Sequence, residues 1–446
     1  ASLQRMILLA LLLAAAPQTV YLKAGRLFDG LSESYKRDVT LRIENGRVAA
    51  LGPQLAIPAG ATVIDLSRDT VLPGLIDCHV HLQARSDRFE DIWEFKTSPL
   101  SSAMVSVVHA RRTLMAGFTT VRDVGSEPFL SEDLRDLINE GYFPGPRIVA
   151  SGPCISITGG HCDLNNYPPN VQVEMYPAEH DFHVADGADQ MRHVIRAHVQ
   201  HGADVIKVAA SGGVFSRGDT PGAPQYTLEE LKVAAEEAHR LGRRIAAHAH
   251  GTQSIKDAAR AGFDSIEHGT LIDDEGIRIM KERGTFLVGD IYNDDYILAH
   301  AEDLHIPVEY VEKERAIGKL QRENWARAVK AGVRVAFGTD AGIFPHGDNA
   351  KQFAWMVRLG LPPAKAILSA TAWAAELLDR QKDVGTVQAG RFADLIAVPG
   401  DPLQDIRVLE QVPFVMKGGL VVKDELATST AAVATPAAAT KSPTSR

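Results

Sequence analysis

The sequence predicts an α/β protein, a (β/α)8 TIM barrel with a small β-sandwich domain built from both chain ends. Three observations predict it. Eight short apolar runs alternate with helix-like segments through the middle of the 446-residue chain. Short alternating runs punctuated by turn residues sit at either end. Five of the eight central runs place a candidate metal ligand at or near the carboxyl end, namely His79 with His81, Lys207, His248, His268 and Asp340.

From about residue 20 to 70, TVYLKAGRLFDG, DVTLRIENGRVAALG and ATVIDLS read as strands, with Asn45-Gly46 as a hairpin signal. A similar register returns in DVGTVQAGRFADLIAVPG and PFVMKGGLVVKD, so strands from both ends are expected to share one sandwich. The barrel strands are GLIDCHVH, FTTVRDVG, PRIVASG, DVIKVAAS, RIAAHAH, DSIEHGT, TFLVGD and VRVAFGTD. Helical periodicity lies between them, as in TLEELKVAAEEAHRLG, which opens on Thr227 as a cap and ends at Gly242. The expected organisation is therefore a signal peptide-like segment at 1–16, sandwich at 17–71, barrel at 72–380, sandwich again at 381–425 and a disordered tail at 426–446. A doubly wound sheet is the alternative. It would not bring strands one, four, five, six and eight around one centre, whereas the carboxyl ends of all eight barrel strands converge on one face.

Arg5 followed by the apolar stretch Met6 to Ala16 resembles a signal peptide, too short to span a bilayer, and points to export into the periplasm or medium. A disordered leader is the competing reading. The tail after Glu425 lacks periodicity and large apolar residues. A net charge of -9 argues against nucleic acid or an anionic membrane as partner. Three cysteines do not make a disulfide framework; Cys154 and Cys162 can pair in an oxidising compartment, and Cys78 reads as a small buried hydrophobe.

His79 and His81 are two apart in a strand, so both imidazoles share a face. Alone, such a pair is more often a surface or packing feature than half of a metal site. Lys207, His248, His268 and Asp340 on the other strand ends supply the weight. Imidazoles with carboxylates are the donor set of a zinc-like ion, and a site with an open position activates water. Lys207 is anomalous, because an ammonium facing cations is repelled and desolvated at a cost of several kcal/mol. It either snorkels outward or is chemically altered. Val205, Lys207 and Ala209 share one face, and small Ala209 leaves room near a centre, which favours the second.

Together, VLPGLIDCHVHL, FTTVRDVG, DVIKVAASGG, IAAHAHG, SIEHGT, AFGTDAG and VGTVQAGRFADLIAV resemble the metal-dependent amidohydrolase superfamily, in its imidazolonepropionase-like and Xaa-Pro or Xaa-Arg dipeptidase-like branch. The resemblance runs from about Val20 to Val422. It implies two Zn2+ per chain. His79, His81 and Asp340 would hold one, His248 and His268 the other, and Lys207, carboxylated by CO2, would bridge them. Asp340 would move the proton from water to the leaving amine. His250, two residues beyond His248, is the competing ligand that the motif position disfavours.

The same resemblance gives His161, in TGGHCDLNN, contact with the substrate carbonyl or carboxylate, and gives Tyr226, in GAPQYTLEE, the terminal carboxylate. GGHCD stands where the family more often has GGHGD, so the geometry of this loop is open. Arg217, in VFSRGD, is a further carboxylate partner by its bidentate chemistry, with a solvated loop arginine as the equal alternative. Arg122 and Asp123 read as a structural pair. Ile155, Ile157, Phe215, Ile343 and Phe344 suggest an apolar pocket, while Asp219 and Asp348 keep an arginine-accepting one open.

Within the branch the chain is similar to amidohydrolases that hydrolyse ochratoxin A. The expected reaction is metallopeptidase-like cleavage of an N-acyl amino acid, and an Xaa-Pro or Xaa-Arg dipeptidase is the alternative. The resemblance also implies a homo-oligomer, an octamer being one option. A mononuclear deaminase has no use for Lys207, and a non-enzymatic assembly protein has no use for the complete ligand set.

Overall fold

The computed structural model describes residues 19–426 except 54, 91, 164–167, 169 and 171–181. The signal-like segment and all of the predicted tail but Leu426 lie outside them. The chain enters through β1 (Val20–Leu27), followed by the hairpin of β2 (Lys36–Glu44) and β3 (Arg47–Gly52). Its turn is at Asn45 and Gly46, with φ of 51° and 77°, the mirror-image geometry that these two residues tolerate. β4 (Thr62–Pro73) pairs parallel with β1 and runs through Gly74 directly into the barrel.

Seven barrel strands follow: β5 (Leu75–Val80), β6 (Phe118–Asp123), β7 (Arg147–Ala150), β8 (Val205–Ala209), β9 (Arg244–Ala249), β10 (Ser265–His268) and β11 (Phe286–Val288). Parallel ladders join β5 to β6 to β7 and β8 to β9 to β10 to β11. The seam between β7 and β8 closes where Asp204 N–H donates to the Ala150 carbonyl at 2.7 Å and Ile155 bridges Val208. The eighth run, VRVAFGTD, is not a regular strand. It is held by a bridge from Val335 to Leu287, by the Cys78 N–H on the Phe337 carbonyl and by a bridge from Ala341 to Val80. Gly338 is pressed against His79 and Val288, and the backbone turns left-handed at Asp340 (φ 59°), so an extended ladder cannot continue along it.

Helices cover the outside. Leu228–Arg240 starts in a reciprocal box of Thr227 and Glu230, as its sequence predicts. Among the described residues no helix is long and apolar enough to cross a membrane. The chain then returns to its beginning: β12 (Leu395–Val398) lies antiparallel on β4, followed by β13 (Phe414–Lys417) and β14 (Leu420–Asp424). The predicted sandwich is built from one continuous hydrogen-bonded sheet in the order β14-β13-β12-β4-β1-β2-β3. Val48 N–H donates to Arg391 O, which folds the β3 edge over toward β12 around Leu22, Leu41, Leu395 and Phe414. These side chains are fully buried, each contributing about 1.5 to 3 kcal/mol.

Candidate metal and substrate site

A cavity of about 240 Å³ opens at the carboxyl ends of the barrel strands, and His79, His81, Lys207, His248, His268 and Asp340 all line it. Strand alternation turns His79 and His81 inward together from β5, as their spacing predicts. Asp340 bridges them, with Oδ1 3.5 Å from His79 Nε2 and 3.2 Å from His81 Nε2. Although burial opposes it, those two imidazoles hold the Asp340 carboxyl well below the usual carboxylate range. Nitrogen or oxygen atoms of His79, His268 and Asp340 lie within 4.8 Å of one another, and so do those of His248, His250 and His268.

Three of the rings are tied from behind. His79 Nδ1 meets Glu267 Oε2 at 3.0 Å, His81 Nδ1 meets the Gly125 carbonyl at 3.0 Å, and His268 Nδ1 meets Asp290 Oδ1 at 2.9 Å. An acceptor on one ring nitrogen fixes the tautomer and leaves the other nitrogen's lone pair for a metal. Burial keeps His79, His248 and His250 far below the ordinary imidazole value, so all three are neutral ligands in waiting. These donors fit a zinc-like ion.

Adjacent Glu267 and His268 both serve the centre, although a strand would point them to opposite faces. The left-handed turn at His268 (φ 66°) resolves this, swinging its ring into the cavity to 5.1 Å from that of His79. Glu267 meanwhile reaches into the barrel interior. Its Oε1 accepts from Arg122 Nη2 at 2.7 Å and from the Ser265 hydroxyl. Arg122 therefore pairs with Glu267, 145 residues away, and not with Asp123 as predicted. Asp123 instead accepts the Leu82 and Gly125 N–H groups, because side chains of successive strand residues diverge. Asp290, at the end of TFLVGD, also accepts from Gln321 and Asn293, and Asn293 reaches Asp340 Oδ2 at 3.3 Å. Strand-end position was the available signal for Asp290; an acid inside apolar SIEH was the signal for Glu267.

Lys207 is 3% exposed and makes no ion pair or hydrogen bond with the described residues. Burial pulls its ammonium down to about 8. His250 faces the same cavity as His248, its ring stacked 4.5 Å from that of His268 and its Nδ1 2.7 Å from Thr270 Oγ1.

His161 also lines the cavity, stacked at 3.9 Å on His248. Its loop is stapled by a Cys154–Cys162 disulfide, the pairing that the sequence allowed, and both cysteines border the cavity. Ser216 Oγ donates to Asp219 Oδ1 at 2.7 Å and so accepts from His161 Nδ1 at 2.9 Å. The other two substrate candidates do not line the cavity. Tyr226 is buried with its hydroxyl on the Ala185 carbonyl at 3.0 Å, and the Arg217 guanidinium lies 5.8 Å from the Tyr310 ring. Of the predicted apolar lining, Phe215 and Ile343 face the cavity, while Ile155 and Phe344 are fully buried in the core. Asp219 and Asp348 are taken by Lys313 and Lys351, at 3.0 and 2.7 Å.

Comparison with known proteins agrees with this geometry. The amidohydrolase family model matches residues 70–422. The ochratoxinase of Aspergillus niger is 33% identical over 418 residues, covering 90% of this chain and 86% of that one. Its crystal structure superposes with a TM-score of 0.80 at 31% identity, covering 92% and 96% of the two chains. A Xaa-Pro dipeptidase solved with methionine in its active site gives a TM-score of 0.83 at 36% identity, covering 91% of this chain and all of that one. The chain belongs to the amidohydrolase family and is a hydrolase acting on amide bonds.

Proposed function

We propose that this enzyme is a two-zinc amidohydrolase that releases the C-terminal residue of N-acyl amino acids, with ochratoxin A, cleaved to phenylalanine and ochratoxin α, as the representative substrate. The observation that carries it is Lys207, buried at the floor of a cavity lined by imidazoles and carboxylates, with burial pulling its ammonium down. Carboxylation turns that cation into an anionic bridge and removes the conflict. His79, His81 and Asp340 would then hold one metal, and His248 and His268 the other. The metals would supply an activated water and polarise the amide carbonyl.

The remaining chemistry belongs to the chain. Asp340, held as a carboxylate by His79 and His81, takes the proton of the attacking water and delivers it to the departing nitrogen. Glu267 and Asp290 orient the rings so that nothing has to reorganise as the bond breaks. With Nδ1 committed to Ser216, His161 meets the substrate through Nε2. Donation to a carboxylate requires a second proton there, which the negative ligand itself favours.

Phe215, Ile297 and Ile343 give an apolar wall, and the acids once open to an arginine side chain are already paired with Lys313 and Lys351. An aromatic leaving residue is thereby favoured. The similarity to a Xaa-Pro dipeptidase keeps a proline-releasing reading alive. Export and homo-oligomeric assembly are part of the proposal, the first supported by the disulfide and the second by family resemblance. Metal analysis together with kcat/KM for N-acyl phenylalanine, arginine and proline tests it. A ten- to hundredfold preference for phenylalanine over arginine is expected, since burying an aromatic ring is worth about 1.5 to 3 kcal/mol. Preference for arginine would refute the ochratoxin-like reading, and preference for proline would install the dipeptidase.

A further inference from the structure

Three connections of the barrel mouth meet at Asp219: the loop after β7, the loop after β8 and the helix Val308–Ala331 beyond β11. Its side chain is 6% exposed and takes four donors. Oδ1 accepts the Ser216 hydroxyl at 2.7 Å and Lys313 Nζ at 3.0 Å, while Oδ2 accepts the Gly213 N–H at 3.1 Å and the Gln225 amide at 3.3 Å. Lys313 reaches in from the helix and donates also to the Gly213 and Ser216 carbonyls, at 3.2 and 2.6 Å. An ammonium has three donors, and all three are used on this one loop. A buried polar network satisfied in this way makes its surroundings rigid.

Two of the four donors lead to His161. Ser216, committed as a donor to Asp219, accepts from His161 Nδ1 at 2.9 Å. Gln225, whose amide nitrogen is committed to the same carboxylate, turns Oε1 to the His161 backbone N–H at 3.1 Å. Ring and backbone are thus set by one group. Gly213 makes the approach possible, because a Cβ there would overlap the His161 imidazole. The ring is left stacked on His248 with Nε2 as its uncommitted nitrogen.

We propose that Asp219 is the positioning residue for His161, and that through it the loop after β8 fixes the preference of the enzyme for substrates ending in a free carboxylate. Asparagine at this position has the right size but one accepting oxygen. Turned toward Gly213 and Gln225, its N–H groups would force the Gln225 amide to flip and face the His161 N–H with a donor. Turned toward Ser216 and Lys313, they would send the Ser216 proton elsewhere and release Nδ1. Either way His161 loses a tie, although position 219 itself touches no substrate. The inference rests on the reading of His161 as the carboxylate contact.

The test is calorimetric binding to the metal-loaded enzyme of the ketomethylene isostere of N-benzoyl-phenylalanine, in which CH2 replaces the scissile N–H, and of the same isostere ending in a carboxamide. Turnover of the two corresponding amides is followed alongside. The wild type should bind the carboxylate form about tenfold or more tighter, the ratio expected of one charge-assisted hydrogen bond. Asp219→Asn should bring that ratio below about threefold and leave carboxamide binding near wild type, which also shows that the variant is folded. Ser216→Ala, which spares the bonds of Asp219 to Lys313, Gly213 and Gln225, should lower the ratio as well. In a His161→Gln background Asp219→Asn should cost nothing further, since a group that acts through a ring has no effect once the ring is gone. A carboxylate preference that survives Asp219→Asn, or a further loss in the His161→Gln background, would overturn the inference and leave Asp219 as a brace between loops. A wild type without the preference would overturn it too, even if both amides were cleaved. Loss of the preference in the variant with neither amide cleaved by the wild type would uphold the positioning role and overturn the amidase reading.

Discussion

Replacing Glu267 by Gln tests how far the metal centre depends on a group that touches no substrate. Glu267 satisfies three donors at once: Arg122 and Ser265 at Oε1 and His79 at Oε2. Glutamine has one acceptor oxygen, so it can keep Arg122 and Ser265 but then turns an amide N–H toward His79. Two costs follow. Arg122 is 1% exposed, and stranding its charge costs about 3 to 5 kcal/mol. With an unfolding entropy of about 2.1 cal/mol/K per residue, a chain of this size loses roughly 1 °C of Tm per kcal/mol, so the metal-free variant should melt about 3 to 5 °C lower. His79 also loses the acceptor that fixes its tautomer, which typically weakens a metal about 10- to 100-fold. Differential scanning calorimetry of stripped protein reads the first effect, and chelator competition reads the second. A variant with wild-type Tm and wild-type metal affinity would refute the assignment of Glu267 as the brace behind His79.

Lys207→Ala is expected to lose bound metal and essentially all turnover; two metals per chain with normal kcat would remove the bridge. Asp340→Asn should retain some metal but lose most of its kcat, because an amide cannot take the proton, and near-normal rates would exclude the proton role. Converting Cys154 and Cys162 to Ser frees the loop that carries His161. Closing a loop of this kind is worth about 2 to 4 kcal/mol, so Tm should fall and KM for carboxylate-bearing substrates should rise several-fold, with kcat less affected. An unchanged KM would place His161 under other control. His346, buried against Thr113 and the His81 carbonyl, is pulled down to about 3 by burial. Below pH 6.5 the unfolded chain therefore binds the extra proton more readily, and the stability that His346 contributes is lost as pH falls from about 6.5 toward 3. Urea denaturation at pH 7 and pH 5 should show a smaller drop for His346→Gln than for the wild type; equal drops would contradict it.

Strand period and strand-end chemistry made most of the centre legible in the sequence. His79 and His81 are two apart, Asn45-Gly46 specifies its own turn, and each metal candidate reaches the cavity that the barrel topology demands. Period fixes which face a side chain takes but not what stands opposite. Arg122 was assigned to its neighbour when its partner lies four strands away on β10. Glu267 and His268 defied alternation because one left-handed residue redirects the ring, and nothing local in SIEHGT except the following glycine hints at it. Tyr226 and Arg217 sit on loops, whose course depends on contacts made far along the chain. The β4 ladder shows both sides of this: the alternating runs at the two chain ends place them in one unit, but nothing local says that β12 pairs directly with β4.

That ladder also sets an order of events during synthesis. Pro73 lies against Leu395, so β4 waits for almost the whole chain before one of its edges is covered. At about 5 to 20 residues per second, the delay is on the order of tens of seconds. Throughout it, a strand whose apolar end leads straight into the barrel offers unpaired N–H and C=O groups to any passing segment. A chain halted just before β12 would thus be stranded with that edge open, although every candidate metal ligand had already been made. The last thirty or so residues of the described chain act as a clasp, and completion of the enzyme is reported at the place where its beginning and end meet.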